Sequence, residues 1–329
     1  MNLPTPDAAP PVLLVHPGPH GVAVYARDIA AEVVRLQPGT RIATPDALAA
    51  LAPGTPVHAH VTDRLWGASP EEATRTVVAL AARHPLTVTL HDVPQASDGE
   101  RNRPRRRAFY RAVSEAARAV AVNSAHESDL LREEDVWGGP VAVVPLPVDE
   151  RPASRASSDD AVGVLGYFYP GKGHDEALAA AVAAGVPRLT VLGRASEGHA
   201  ADLETFVHRA DAAGVAVEVT GWLDDADMAA RVARVAVPVI AHRHVSASGS
   251  LTSWIGWGRR PVAVRNRYVD EMARLRPGTL SVVEPDALAD AISVARADAT
   301  TTWHGVAPLP FGRAEAARAY LRWWREVAS

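Results

Sequence analysis

The residues best suited to chemistry lie in His242-Arg-His-Val-Ser-Ala-Ser-Gly-Ser-Leu251. An apolar run, Val235–Ile240, feeds this stretch, and a helical pattern carrying Trp254 and Trp257 follows it. A strand, a small-residue loop and a helix start together present unpaired backbone N–H groups to an anion. Gly249 permits close approach, while Ser246, Ser248 and Ser250 add hydroxyls. The same letters also suit a Ser-rich helix cap with no ligand. Two other turns share the design. His16-Pro-Gly-Pro-His-Gly-Val22 follows a strand and opens a helix expected over 22–35, with Gly18 and Gly21 at the bend. An ordinary strand-to-helix turn would read the same way. In Gly166-Tyr-Phe-Tyr-Pro-Gly-Lys-Gly-His-Asp175, Lys172 stands between two glycines as a counter-charge for a diphosphate. It is not a Walker loop, because the Gly-Lys-Ser/Thr order is missing.

Histidines gather at strand ends: His58 and His60, His91, and His242 with His244. None has the spacing of a zinc protease helix and the chain has no cysteine, so no metal site is expected. His91-Asp92 directly follows Leu86-Thr-Val-Thr-Leu90, at the strand end where open α/β sheets bind ligands. There an imidazole beside a carboxylate could move a proton or bond a hydroxyl. A strand-end histidine that bonds only backbone is the alternative. The basic run Arg101-Asn-Arg-Pro-Arg-Arg-Arg107 is read as solvated surface, with an anionic acceptor or a membrane surface as the other reading.

These groups need a scaffold. Short apolar runs (Val12–His16, Val57–His60, Leu86–Leu90, Val120–Val122, Val141–Val144, Val162–Leu165, Leu189–Leu192, Val215–Val219, Val235–Ile240, Pro261–Val264, Leu280–Val283) alternate with helical patterns at 22–35, 70–83, 107–118, 174–184, 199–213, 226–234 and 286–297. That alternation predicts parallel sheets covered by helices on both faces. Asp149–Ala161 is polar and aperiodic and reads as a linker. The expected organisation is a domain at 1–148, a linker at 149–161, a second domain at 162–312, and a helix at 313–329 returning to the first domain. Thr44-Pro-Asp-Ala-Leu-Ala and Glu284-Pro-Asp-Ala-Leu-Ala are near copies that share Pro-started helix chemistry, without being a true repeat. A net charge of −4 argues against nucleic-acid binding. The opening Met1-Asn-Leu-Pro-Thr-Pro-Asp lacks a basic segment and a long apolar run, so a cytoplasmic location is expected.

Two Rossmann-like halves, a Gly turn opening the first, a Lys-Gly turn opening the second and a small-residue loop before a late helix resemble the family 4 retaining glycosyltransferases. Supporting matches are His91-Asp92, Asn123-Ser124 with His126-Glu127, Val144-Pro-Leu-Pro-Val148, Leu192-Gly-Arg194, Thr220-Gly-Trp222 and Gly258-Arg-Arg-Pro261. The resemblance implies a GT-B fold, α/β, with two domains facing a cleft. It implies a hexosyltransferase-like enzyme that takes sugar from a nucleotide-diphosphate donor, needs no cofactor or metal, and retains anomeric configuration. Lys172 and the Gly249 backbone would hold the diphosphate, with Ser246, Ser248, Ser250 and Leu251 around them. Tyr167, Gly193, Arg194, Gly221 and Trp222 would line the nucleotide, and Gly21 of the first domain would face the phosphate or sugar. His91, with Asp92, would lie against the transferred sugar. Glu271 would match the acidic residue that follows the late strand.

The departures matter as much. Tyr167 stands where the family carries an arginine, and His20 replaces the first glycine of its Gly-Gly. Ser246 and Trp254 fall at the positions of its two donor-site glutamates. Arg194, Arg243, Arg259 and Arg260 are the candidates to restore positive charge. A non-catalytic subunit that binds a sugar nucleotide or a partner, and a different GT-B chemistry such as epimerisation, are the competing readings.

Overall fold

The structure is a computed structural model describing residues 9–151, 155, 156 and 158–328. In chain order the first elements are β1 (Val12–Leu14), α1 (Gly21–Leu36), β2 (Ile42–Ala43), β3 (Val57–Val61), α2 (Asp63–Trp66), α3 (Pro70–Arg83), β4 (Leu86–Leu90), α4 (Gly99–Ala116), β5 (Ala119–Val122), α5 (Ala125–Glu133) and β6 (Val141–Val143). There follow β7 (Ala161–Leu165), α6 (His174–Ala183), β8 (Arg188–Leu192), α7 (Ala200–Ala212), β9 (Ala216–Val219), α8 (Asp225–Arg234) and β10 (Val237–Ile240). The last are α9 (Gly249–Gly256), β11 (Val262–Val264), α10 (Arg267–Leu275), β12 (Ser281–Val283), α11 (Leu288–Ala297) and α12 (Arg313–Ala328). The chain forms two compact units, with boundaries at Pro147/Val148 and Pro310/Phe311, so α12 belongs to the first unit.

The first unit is a six-stranded parallel sheet ordered β2-β1-β3-β4-β5-β6. Strands β3 (Val-His-Ala-His-Val) and β4 (Leu-Thr-Val-Thr-Leu) alternate apolar and polar residues yet are buried along their whole length, because helices cover both faces of the sheet and bury His58, His60, Thr87 and Thr89 as well. One face packs Val77, Leu80, Phe109, Tyr110 and Val113 from α3 and α4. The other packs Ile29 and Val33 of α1 with Tyr320, Leu321, Trp323 and Trp324 of α12. Arg313 at the start of α12 pairs with Asp28 of α1 at 3.1 Å.

The second unit is also a six-stranded parallel sheet, ordered β12-β11-β10-β7-β8-β9. The order reverses between β7 and β10, and such a reversal leaves a crevice beyond the carboxyl ends of those two strands. Side-chain oxygens start the helices that border it. Ser248 caps α9, Asp224 caps α8 and Asn266 caps α10, each accepting an otherwise orphaned N–H. The near-copy segments Pro45–Ala50 and Pro285–Ala287 both form a 3-10 turn with proline at its start; the second runs on into α11.

Some expected elements differ. The helix expected from 107 begins at Gly99 and takes the basic run and Pro104 into α4. The strand expected to reach His16 stops at Leu14, because Pro17 and Pro19 have no N–H for a ladder. Helices α5 and α10 are additional; each is short and polar on one side, and its apolar spacing is too brief to stand out. Of the expected linker, 152–154 and 157 lie outside the described residues. Its described part is tied to the second unit: Arg151 N–H donates to the Gly256 carbonyl, and Asp159 and Asp160 pair with Arg234 and Arg296. No described helix is long and apolar enough to cross a membrane.

Candidate functional site

In the second unit the candidate residues converge on the carboxyl ends of the strands. The loop after β7 turns sharply through Gly166, Gly171 and Gly173, all at positive φ. Gly173 has a second reason to be glycine, since a Cβ there would lie 2.6 Å from the Ala241 backbone beyond β10. This close approach carries Lys172 across the switch between β7 and β10. Lys172 is buried, and its ammonium donates to Ser250 Oγ at 2.9 Å. Ser250 Oγ lies 3.1 Å from Ser248 Oγ, which accepts the Leu251 N–H at 3.2 Å. Ser248 N–H in turn donates to the Tyr268 hydroxyl at 3.0 Å. Lys172, Ser248, Ser250 and Leu251 therefore form one hydrogen-bonded group.

Burial lowers the Lys172 pKa to about 8. The neighbouring His174 falls to about 3 and His242 well below its usual range, through burial first and the Lys172 charge second. Both imidazoles are thus neutral, and Lys172 is the cation of the group. Gly249, at the first turn of α9, has open space where a Cβ would project. The fold does not need a glycine there, but an approaching ligand would.

The loops after β8 and β9 join this group's edge. Gly193 rests on the Gly166 carbonyl so closely that a Cβ would fall 2.2 Å from it. Gly193 N–H donates to Thr220 Oγ1, and Gly221 N–H donates to the Gly193 carbonyl, both at 3.0 Å. Beside these contacts Tyr167 is 38% exposed and Trp222 69% exposed, with the Arg194 guanidinium 5.8 Å from the Tyr167 ring. Tyr167 and Trp222 are both among the exposed large hydrophobic residues. Ser246 is buried after β10, and Glu271 is half-buried on α10.

The four candidate arginines separate. Arg194 stands at the exposed aromatic edge, whereas Arg243 is paired with Glu176 and Arg260 reaches the Leu280 carbonyl. Arg259 is ruled out as a ligand contact. It is fully buried and bonds the carbonyls of Val232, Val235, Ala236 and Thr302 and the Thr302 hydroxyl, closing the end of α8.

In the first unit, Gly21 opens α1 with free space at its Cβ position. His20 caps that helix, its Nδ1 accepting the Val22 N–H at 3.2 Å, so a side chain occupies part of the expected anion-binding end. His91 is buried and Asp92, in a left-handed conformation, is exposed. His91 Nε2 lies 3.0 Å from His60 Nδ1, and burial keeps both rings neutral, so one nitrogen donates to the other. Behind them His58 contacts Thr87 and Thr89, and Thr89 meets the Tyr320 hydroxyl at 3.0 Å. Tyr320 meets Tyr25, which accepts from Asn123 Nδ2. Sequence reading placed the histidines at strand ends and Tyr320 among the aromatics that dock the returning last helix, but gave no sign of Tyr25 or of the hydroxyl contacts; their partners are distant in the chain. The basic run is not bare surface either. Arg103 pairs with Glu134, Arg105 with Glu71, and Arg106 with Asp98 and Asp63.

No family model matches the sequence, and no curated protein matches it. Solved structures do match its fold. Sucrose-phosphate synthase from Thermosynechococcus elongatus is 16% identical with a TM-score of 0.68, over 97% of this chain and 96% of that one. HepE from Anabaena, in complex with UDP and glucose, is 15% identical with a TM-score of 0.64, over 96% and 95%. TarM from S. aureus is 12% identical with a TM-score of 0.53; 73% of this chain matches and spans only 47% of TarM. The fold is therefore α/β with two Rossmann-like units, of the GT-B type.

Proposed function

We propose that the chain is a metal-independent glycosyltransferase that moves a sugar from a nucleotide-diphosphate donor to an acceptor, in the manner of family 4 enzymes and with retention. The observation that carries this reading is Lys172, a buried cation whose hydrogen bond goes to a hydroxyl at the switch point of the second sheet. A diphosphate placed against Lys172, Ser250 and the open backbone at Gly249 would supply the missing negative charge. In transfer, the bond from the anomeric carbon to the diphosphate oxygen breaks and charge grows on that oxygen. A fixed ammonium and backbone N–H groups stabilise such charge without reorganising. Within the first unit, His91 and Asp92 are proposed as the sugar-contacting pair. The UDP-bound HepE structure supports UDP as the first nucleotide to test.

The base is assigned to the Tyr167, Arg194 and Trp222 edge. Stacking on an aromatic ring contributes about 1–3 kcal/mol per base, so Trp222→Ala should weaken UDP binding by about 5- to 150-fold. Calorimetry reads this directly, and unchanged affinity would remove Trp222 from the site.

The Lys172 environment also sets a pH dependence. Lys172 titrates at about 8 in the unliganded site, and a bound diphosphate would raise it. Below that value the lysine is already charged and affinity is flat. Above it, binding must take up a proton, so UDP affinity should fall by up to about tenfold per pH unit. A flat profile between about pH 7 and pH 10 would contradict this. His174 and His242 are neutral throughout that window and add no slope.

A second reading, a non-catalytic nucleotide-binding subunit, is favoured by one feature. Of the two positions where the family carries glutamates, one is Ser246 and the other is Trp254, which is fully buried in the core. Titration with UDP, GDP, ADP and TDP, followed by a turnover assay with the matching sugar conjugates, separates the two. Binding with neither transfer nor slow hydrolysis would select the non-catalytic subunit.

A further inference from the structure

The His91–Asp92 turn is held from behind by residues the proposed transfer does not otherwise use. Asp92 has φ of +53°, a left-handed backbone that aspartate tolerates better than most non-glycine residues but still at a cost, so contacts that hold it there matter. Those contacts come from α4. Arg106 Nη2 donates to the Asp92 carbonyl at 2.6 Å, and the Tyr110 hydroxyl donates to the His91 carbonyl. Arg106 is fixed in turn by Asp98 at 2.6 Å and Asp63 at 3.4 Å, and it lies 5.5 Å from the Tyr110 ring. One guanidinium thus ties together the start of α2, the loop after β4 and helix α4. On the other side, the His91 N–H donates to the Val61 carbonyl at 2.9 Å, and the ring meets His60.

We infer that Arg106 is a positioning residue: it locks the left-handed turn that presents the His91 ring and the exposed Asp92 carboxylate at the end of the first sheet. This inference rests on the glycosyltransferase reading for what the turn does, but not for how the turn is held. A planar fork with several donors can hold a carbonyl and two carboxylates at once; a lysine ammonium cannot reproduce that geometry.

The test joins a structural readout to a kinetic one. In Arg106→Gln, turnover of the UDP-sugar should fall about tenfold or more at unchanged donor KM. The His91 ring signals in the NMR spectrum of histidine-labelled protein should shift at the same time. Asp92→Gly makes a left-handed turn intrinsically accessible; because it also removes a carboxylate assigned to the sugar, only the NMR readout applies in that background, where adding Arg106→Gln should leave the His91 signals in place. Arg106→Lys should behave like Arg106→Gln, and it serves if the glutamine variant does not fold. Unmoved His91 signals in the single variants, or an equal shift in the glycine background, would overturn the inference. If the wild-type protein turns over no sugar nucleotide, the glycosyltransferase reading fails, while the NMR comparison still decides whether Arg106 holds the turn.

Discussion

Lys172→Met should abolish most nucleotide binding and at the same time make the protein harder to melt. The two effects share one cause. Burial lowers the Lys172 pKa to about 8 from an unfolded value of 10.5. A group whose charged form is disfavoured by folding costs stability wherever it is charged, and at neutral pH that cost is roughly 2–4 kcal/mol. Methionine fills nearly the same volume without the charge, so the penalty disappears while packing stays. Function moves the other way. A hydrogen bond to a charged group contributes about 1.5–3 kcal/mol, so UDP affinity should fall by about 10- to 100-fold. A donor aimed at transition-state charge contributes about 2.7–4 kcal/mol, so turnover should fall about 100- to 1,000-fold. Thermal melting and calorimetry on one preparation test both halves. A variant that melts lower, or one that binds UDP as the wild type does, would mean that Lys172 is a structural residue.

That opposition explains which parts of the site were legible in the sequence. Lys172 and Gly249 stand out as letters because each breaks a local rule: a lysine between glycines, and a glycine opening a helix. The fold class was equally plain, since short strand-like runs such as Leu86–Leu90 and Val162–Leu165 alternate with helical patterns along the whole chain. What stayed hidden is pairing over long separations. Arg106 looks like one more arginine in a charged run, and only the tertiary structure brings it to the Asp92 carbonyl and to Asp63. Tyr320 meets Thr89 and Tyr25 across most of the chain length. The start of α4 was missed because Pro104 and the arginines around it carry no apolar period, although ion pairs with Glu71 and Glu134 support the helix from outside.

Arg259 makes the same point in reverse, and its replacement should be the most damaging single change in the second unit. In sequence, the Gly258-Arg-Arg-Pro261 turn offers a positive charge to a ligand. In the structure Arg259 makes five hydrogen bonds to carbonyl and hydroxyl oxygens, and its guanidinium lies 4.4 Å from the Trp303 ring. The carbonyls of Val232 and Val235 belong to the last turn and cap of α8, where helix oxygens lack partners and the dipole favours a cation. Burial outweighs that help enough to lower the Arg259 pKa to about 10, so the charge is held by geometry and not by a carboxylate. Arg259→Met would leave those oxygens buried without donors, at about 1–3 kcal/mol each where no water reaches them. Part of this is recovered because the buried charge is removed as well, for a net loss of about 3–5 kcal/mol. The midpoint of thermal unfolding should drop by roughly 10 °C. At temperatures where the variant is folded, UDP affinity should match the wild type, because no phosphate contact is lost. A variant with normal melting but weakened UDP binding would return Arg259 to the ligand site; the predicted opposite assigns the family-like Gly-Arg-Arg-Pro turn to holding α8 against the sheet.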